Sequence, residues 1–278
     1  TDKINWESTY YWRVRAIGGN WMSTYSFTTS STRSNVTVIM YDESQYAEGN
    51  TIFGSAAGTY SAVIDKEGAE IWNSGSDNII YYNLSDDGKF FGAQFNNALE
   101  FQYPGIKFSL TEGILWQEPN EEFVHHELME LPWGDYMGIA HVVELGPICA
   151  PLGGDWWVLY AADGYMADCI TNEYPWWGDH LVIWDKDTKE VVWSWSTFDY
   201  YNIMDYDAIS WDSQVPYLEN YYDWTHINAF YFDERDSSIY LSTRNLSRIT
   251  KLQYPSGDII WNMGHESASG DVTFGHDL

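Results

Sequence analysis

"LVIWDKDTKEVVWSWS", residues 181–196, decides how this chain is read. An apolar run meets a charged turn, and a second run of period two ends in tryptophan and serine, the pattern of a β-hairpin with a buried face. The same design recurs in "AVIDKEGAEIWNSG" (62–75), "IKFSLTEGILWQEP" (106–119) and "ITKLQYPSGDIIWNMG" (249–264). Trp72, Trp116, Trp193 and Trp261 mark the same position in the four hairpins. The step from Trp72 to Trp116 fits a four-stranded propeller blade of about 40–45 residues, whereas the later steps are longer and require insertions. These insertions are residues 144–180, rich in Trp, Gly and Pro, and residues 197–222, rich in Tyr and Asp. Helical periodicity is weak throughout, and Gly, Pro and Asp punctuate the chain as they do in all-β folds. The expected fold is all-β, a β-propeller whose innermost strands and loops gather around a channel. A stacked β-sandwich is the alternative. The repeat tryptophans are expected to fill the space between sheets.

A chain of 278 residues, 45% of them apolar, is enough to build one large all-β domain or two small ones. Acidic residues outnumber basic ones 41 to 13, a formal charge of −28. That charge repels polyphosphate and anionic bilayers, so no nucleic-acid partner is expected, and it favours solubility in salt. No run of 18 apolar residues occurs, so no membrane span is expected. The opening "TDKINWESTYYWRVRAI" reads directly as strand rather than as a signal peptide. The spacing of Cys149 and Cys169 permits a disulfide worth roughly 3 kcal/mol on the chain-entropy model, with two buried thiols as the alternative. Asn35, Asn83 and Asn245 head Asn-x-Ser/Thr sequences, compatible with export.

Residues 1–30 differ from the rest of the chain. In "YYWRVRAIGGNWMSTYSFTT" the positions Trp12, Val14 and Ala16 alternate with Tyr11, Arg13 and Arg15, and a Gly-Gly-Asn turn leads into a second alternating run. This hairpin resembles the last two strands of a fibronectin type III module. Such a sandwich needs about seven strands, so the expectation is a chain cut from a longer one. Residues 31–35 read as a linker, and residues 36–278 as the propeller.

The residues that carry chemistry lie at equivalent places in successive units. His125 and His126 stand in "EEFVHHELMELPWGD", His226 and Asn228 in "DWTHIN", Arg244 in "LSTRNLS", and His276 in "FGHDL". The combination of His-His-Glu before a Leu-Pro-x-Gly turn, Asp-Trp-x-His-Ile-Asn, Ser-x-Arg-Asn-x-Ser and a closing Phe-x-His-Asp resembles the arylsulfate sulfotransferase family. The resemblance spans roughly residues 50–278 and is strongest over 220–278.

That resemblance implies a six-bladed propeller, secreted, periplasmic or at the cell surface, that moves a sulfuryl group from a phenolic sulfate donor to a phenolic acceptor without a nucleotide and with no cofactor. It implies His276 as the nucleophile that becomes sulfohistidine. His126 (or its neighbour His125), His226 and Arg244 would bind the sulfuryl oxygens and move protons, and Asn228 would orient an imidazole or donate to an oxygen. The chemistry suits these residue types: a neutral imidazole is an available nucleophile near pH 7, and a guanidinium is a fixed donor for sulfate oxygens. Two features depart from the family pattern. Four hairpin signatures stand where six blades are expected, and the chain ends two residues after His276. Downstream sequence or an assembly partner would then complete the ring.

Other readings stand beside this one. Arg244 is also placed to pair with Asp233 or Asp236 across a hairpin, and the histidines to bind a metal with Glu127 or Asp277. His141, His180 and His265 belong to no motif and read as surface or structural residues. As a whole, the alternative function is a non-catalytic extracellular binding or scaffold propeller, suited by 16 tryptophans and 22 tyrosines to sugar or protein contacts.

Overall fold

The computed structural model describes residues 4–39, 42–45, 47–56, 58–85, 87–96, 102–120, 122–148, 156–203, 205, 221–264 and 272–273. Cys149, His265 and His276 lie outside the described residues, as does Asp277. The chain divides into two compact units, Thr1–Tyr81 and Tyr82–Leu278. It is all-β, in several sheets.

In the first unit, strands β1 (Thr9–Trp12) and β2 (Tyr25–Thr28) pair antiparallel with Trp12 opposite Tyr25. The hairpin expected from the alternation therefore forms, over a shorter span. Beyond it the chain is irregular, and the guanidiniums of Arg13 and Arg15 each lie 4.4 Å from the Trp21 ring. Among the described residues no third strand joins this pair. Strands β3 (Thr51–Ser55), β4 (Tyr60–Ile64) and β5 (Glu70–Asn73) make an antiparallel meander. The expected linker, residues 31–35, is pinned to it. The Glu70 carboxylate accepts the backbone N–H of Arg33 at 3.1 Å and of Ser34 at 2.7 Å.

From Ile79 onward the chain forms three sheets. The first takes in β6 (Ile79–Leu84), β7 (Phe90–Gln94), β8 (Gly105–Ser109) and β9 (Gly113–Gln117), in that order. In the next, β10 (Val124–Glu130), β11 (Tyr136–Pro147), β12 (Asn172–Trp184) and β13 (Val191–Ser196) pair antiparallel in sequence order, and β14 (Tyr222–Asp223) adds parallel to β12. The last repeats this plan with β15 (Ile227–Asp233), β16 (Ser238–Thr243), β17 (Arg248–Gln253) and β18 (Ile259–Gly264), plus β19 (Val272–Thr273) parallel to β18.

All four expected hairpins form, and each carries a bulge at the same place. Val63 opposes Trp72 but Ile64 opposes Glu70, which leaves Ile71 unpaired. Leu115, Val192 and Ile260 are left out in the same way beside Trp116, Trp193 and Trp261. All four aliphatic residues are exposed, because the extra residue of a bulge is turned out of the ladder. The repeat read from tryptophan spacing is thus a repeat of backbone geometry as well.

The first strands of the three later sheets lie side by side. The Tyr82 hydroxyl donates to the Val124 carbonyl at 3.0 Å, and Asn83 Nδ2 to the Leu128 carbonyl at 3.0 Å. β10 in turn is flanked by β15. One core cluster, around Phe91, Trp116, Leu128, Tyr136 and Trp184, joins the first two of these sheets. A larger one, around Met137, Trp176, Trp195, Trp224, Phe232 and Leu241, joins the last two.

The described parts of the insertions are built into the fold. Residues 144–147 and 172–180 extend the β11–β12 ladder, with Tyr160, Tyr174 and Trp176 buried in the core together with Tyr222 and Trp224. Two short helices, α1 (Trp156–Ala162) and α2 (Thr197–Tyr200), were concealed by the weak periodicity. Ser196 caps α2 by accepting the Phe198 N–H. Two of the three Asn-x-Ser/Thr asparagines have structural duties: Asn83 bonds Glu127 and Leu128, and Asn245 is buried and donates to the Asp223 carbonyl at 2.7 Å.

Candidate functional site

His126 and His226 occupy matching places where two adjacent sheets begin. Each has a left-handed backbone, φ 59° and φ 51° respectively, a conformation uncommon outside glycine. Each also lies next to a bulge. In β10, Val124 opposes Ala140 but Leu128 opposes Gly138, so residues 125–127 bow out of the ladder. In β15, Ile227 opposes Thr243 and Ala229 opposes Ser242, which leaves Asn228 as the extra residue. Bulges re-aim side chains in this way at the rims of sheets. The result is a T-shaped meeting of the two imidazoles with ring centroids 5.0 Å apart.

A hydrogen-bonded chain runs back from His126 into the protein. His125 Nδ1 lies 2.8 Å from His126 Nδ1, and His125 Nε2 lies 3.0 Å from Asp179 Oδ1. A carboxylate only accepts, so His125 donates from Nε2 and its Nδ1 accepts the Nδ1–H of His126. His126 Nε2 then carries the lone pair. Asp179 is itself fixed, because its Oδ2 accepts the Thr225 hydroxyl at 2.5 Å and the Ile227 amide at 2.7 Å.

His226 is held differently. Its Nδ1 lies 2.5 Å from Asp223 Oδ2, three residues earlier. Burial of His226 favours the neutral ring, but the hydrogen bond and charge of Asp223 outweigh it and raise the pKa above the ordinary imidazole value. For His126, burial is the largest influence and the neighbouring His226 adds to it, so its pKa is lowered. Burial also drives His125 well below the ordinary range. Two facing imidazoles are therefore biased oppositely, His226 towards the cation and His126 towards the neutral base.

Arg244 opens a 3-10 turn, Arg244–Leu246, that is tied to the His226 segment. Its amide donates to the His226 carbonyl, and the Asn245 amide to the Thr225 carbonyl, each at 3.1 Å. Arg244 is exposed, and its charge acts on both His126 and His226, lowering the proton affinity of each. Among the described residues it forms no ion pair. Asp233 is taken by Arg235 at 2.6 Å and Asp236 by Lys251 at 2.7 Å, so the cross-hairpin pairing does not form.

The structure thus brings together His125, His126, His226 and Arg244. Asn228 is exposed on the bulge, and the carboxylate that holds the His226 ring is Asp223. Three further residues of the cluster were not read from the sequence. Asp223 had a signal in its spacing, three residues before His226. His141 and Asp179 had none, since they meet only as opposed residues of the β11–β12 ladder. His141 is wedged between Phe123 and Trp177, at centroid distances of 4.3 and 4.5 Å, and burial lowers its pKa to about 3. His180 lies 3.4 Å from Glu122 and takes no part in the chain from Asp179 to His126.

A cleft of about 730 Å³ lies nearby, lined in part by Asn83, Asp87, Glu127, Glu130, Trp133 and Tyr231. Three carboxylates and no cation among its lining residues make it a poor receptor for a sulfate anion.

Residues 154–272 match the arylsulfotransferase family. The resemblance carried by "DWTHIN" and "LSTRNLS" is borne out for this stretch, which contains Asp179, Asp223, His226, Asn228 and Arg244. His125 and His126 precede the arylsulfotransferase match and His276 lies beyond it. No curated protein matches the chain. Among solved structures, a protein of unknown function from Bacteroides caccae aligns with a TM-score of 0.40 and 8% identity, over 77% of this chain. This chain spans 57% of the length of that protein.

Proposed function

We propose that this chain forms an exported, arylsulfotransferase-like β-propeller that passes a sulfuryl group from an aryl sulfate to a phenol. The observation that carries the reading is the facing pair His126 and His226, oppositely biased in proton affinity and sharing the charge of Arg244. Groups whose environments push their pKa values apart are the usual acid and base of a site. Repeated sheets with adjacent first strands and equivalent bulged hairpins support the propeller.

In this reading Arg244 and the protonated His226 hold the sulfate oxygens against the repulsion of an acidic protein. A histidine nitrogen attacks sulfur; by the family resemblance it is that of His276. The N–S bond forms as the aryl S–O bond breaks, and His226 gives its Nε2 proton to the departing phenolate. In the return step the neutral His126 takes the proton of the acceptor phenol through Nε2. The phenol oxygen then bonds sulfur as the N–S bond breaks, and the proton gained by His126 passes to the facing His226, which restores both rings for the next turnover.

The test is release of 4-nitrophenol from 4-nitrophenyl sulfate with phenol as acceptor, with mass spectrometry of the quenched protein for a sulfuryl adduct on histidine. His226→Gln is expected to slow turnover roughly 100-fold or more, the low end of what a positioned acid contributes. Full activity in that variant, or an adduct on a histidine outside the cluster and other than His276, would overturn the assignment. Side chains facing apart would favour the alternative, a binding or scaffold propeller; the facing of His126 and His226, with the charge of Arg244 acting on both, supports the transferase reading.

A further inference from the structure

Asp179 stands where two histidines from different strands meet. His141 on β11 is its opposed residue in the β11–β12 ladder, and His125 reaches it from the bulge that opens β10. His125 Nε2 lies 3.0 Å from Asp179 Oδ1, and His141 Nε2 lies 3.9 Å from the same oxygen. One donor atom from each of the three residues lies within 4.8 Å of the others. The second carboxylate oxygen is engaged by Thr225 and Ile227, which fixes Oδ1 on the side of the imidazoles.

These spacings have a coordination meaning. An ion bonded at about 2.1 Å separates neighbouring donors by roughly 3.0 Å at a right angle and roughly 3.4 Å at a tetrahedral angle. The first contact already has such a spacing, and the second reaches it if His141 moves in by about half an ångström. Two imidazoles and one carboxylate are the donor class of Zn²⁺ and its first-row neighbours rather than of Mg²⁺ or Ca²⁺. Thr225 and the Ile227 amide orient the carboxylate as outer partners of metal sites do. His141 meets the Phe123 ring edge-on and the Trp177 ring at a tilt, contacts that leave its nitrogens on the ring edge.

We propose that His125, His141 and Asp179 form a binding site for one divalent first-row transition ion, with Zn²⁺ as the reference ligand, and that the bound ion reverses the hydrogen-bond polarity of His126. In the hydrogen-bonded arrangement His125 donates from Nε2 to Asp179, and His126 Nε2 is an acceptor. An ion bonded to His125 Nε2 requires the proton of that ring to sit on Nδ1. His125 then donates to His126 Nδ1, and the single proton of His126 moves to Nε2, which becomes a donor. Each ring keeps one proton, so the change is tautomeric and balanced. The ion-binding step stands apart from the transferase reading; the consequence for a proton-accepting His126 rests on it.

The experiment uses untagged protein stripped with a chelator and dialysed. Co²⁺ is titrated and monitored by its visible d–d absorption, and Zn²⁺ by calorimetry, with long-range ¹H–¹⁵N NMR reporting the tautomer of His126. One equivalent is expected to bind, with affinity reduced at least 10-fold in His141→Asn, and His126 is expected to pass from the Nδ1–H to the Nε2–H form. Circular dichroism checks that the variant is folded, and His125→Gln serves as the second variant. No binding by the wild type, or equal binding by folded variants, overturns the site; binding with the His126 tautomer unchanged overturns the switch. No turnover is measured, so failure here is distinct from failure of the sulfuryl-transfer reading.

Discussion

His126 and His226 face each other with ring centroids 5.0 Å apart, yet only His226 has a carboxylate, Asp223, on its Nδ1. That difference biases the two rings towards opposite protonation states. Asp223→Asn removes the charge and keeps an acceptor, so the raised pKa of His226 is expected to fall towards or below the ordinary imidazole range. NMR titration of the His226 ring reads this directly. In a turnover assay the alkaline limb of the pH–rate profile should move to lower pH, because the acid form of His226 is then lost earlier. A His226 titration that does not move in Asp223→Asn would show that another group holds its proton.

Arg244 is the fixed charge of the cluster and makes no ion pair among the described residues. Arg244→Ala is therefore expected to weaken inhibition by inorganic sulfate about 10-fold or more, as loss of a charged hydrogen bond does. Arg244→Lys should restore only part of it, because an ammonium cannot present the planar fork. Unchanged sulfate affinity in both variants would place the anion elsewhere.

Acid should destabilise this protein through its histidines as well as its carboxylates. His125, His126 and His141 all have lowered pKa values, with His141 near 3. Between its own lowered pKa and the ordinary one near 6.5, each group stays neutral in the folded chain but is protonated in the unfolded chain, so its contribution is present above pH 6.5 and is lost as pH falls. Each such group adds a slope of about 1.4 kcal/mol per pH unit where it is charged only in the unfolded state. His226 acts oppositely: its contribution is present at low pH and lost as pH rises through its raised pKa. Below pH 6.5 the His226 contribution is already complete and constant, so the three lowered groups predict a net fall in urea midpoint from pH 6.5 to 4.5. His141→Asn, measured in chelator, should reduce that fall, and an equal fall in the variant would assign it to carboxylates alone.

Much of this fold was legible because the repeat is local. Each hairpin signature places an aliphatic residue directly before tryptophan, and each such residue is the one left out by a bulge. The placement of His126 and His226 at the starts of strands was legible for the same reason. Asp179 and His141 were not, because the contact between His125 and Asp179 bridges 54 residues and depends on the register of a ladder that the sequence read as an insertion. Arg244 was ambiguous because two carboxylates lay within reach along the chain. Only three-dimensional placement shows that each already has a cation.

Asp179 holds more of the cluster than any other residue. Its buried carboxylate accepts from His125, Thr225 and the Ile227 amide. Asp179→Ala leaves these donors unpaired in the interior and is expected to destabilise the protein by about 3 kcal/mol, as breaking a buried polar network does. Asp179→Asn keeps one accepting oxygen and should cost less. Urea unfolding of the two variants separates the outcomes, and near-wild-type stability of Asp179→Ala would mean that water enters and satisfies the freed donors.

Leu115 and Trp116 provide the test of the repeat itself. They are neighbours in one strand, but the bulge sends Leu115 to solvent while Trp116 is buried in a core with Tyr136 and Trp184. Trp116→Ala removes a large buried ring and is expected to cost about 3–5 kcal/mol. Leu115→Ser changes a side chain turned out of the ladder and should stay within about 0.5 kcal/mol. The same asymmetry should hold at Val192 beside Trp193 and Ile260 beside Trp261, in smaller degree because those rings are only partly buried. If Leu115→Ser proved as damaging as Trp116→Ala, the bulged residue would be covered in the folded protein, and the shared geometry of the four hairpins would serve a contact rather than the turn of the strand.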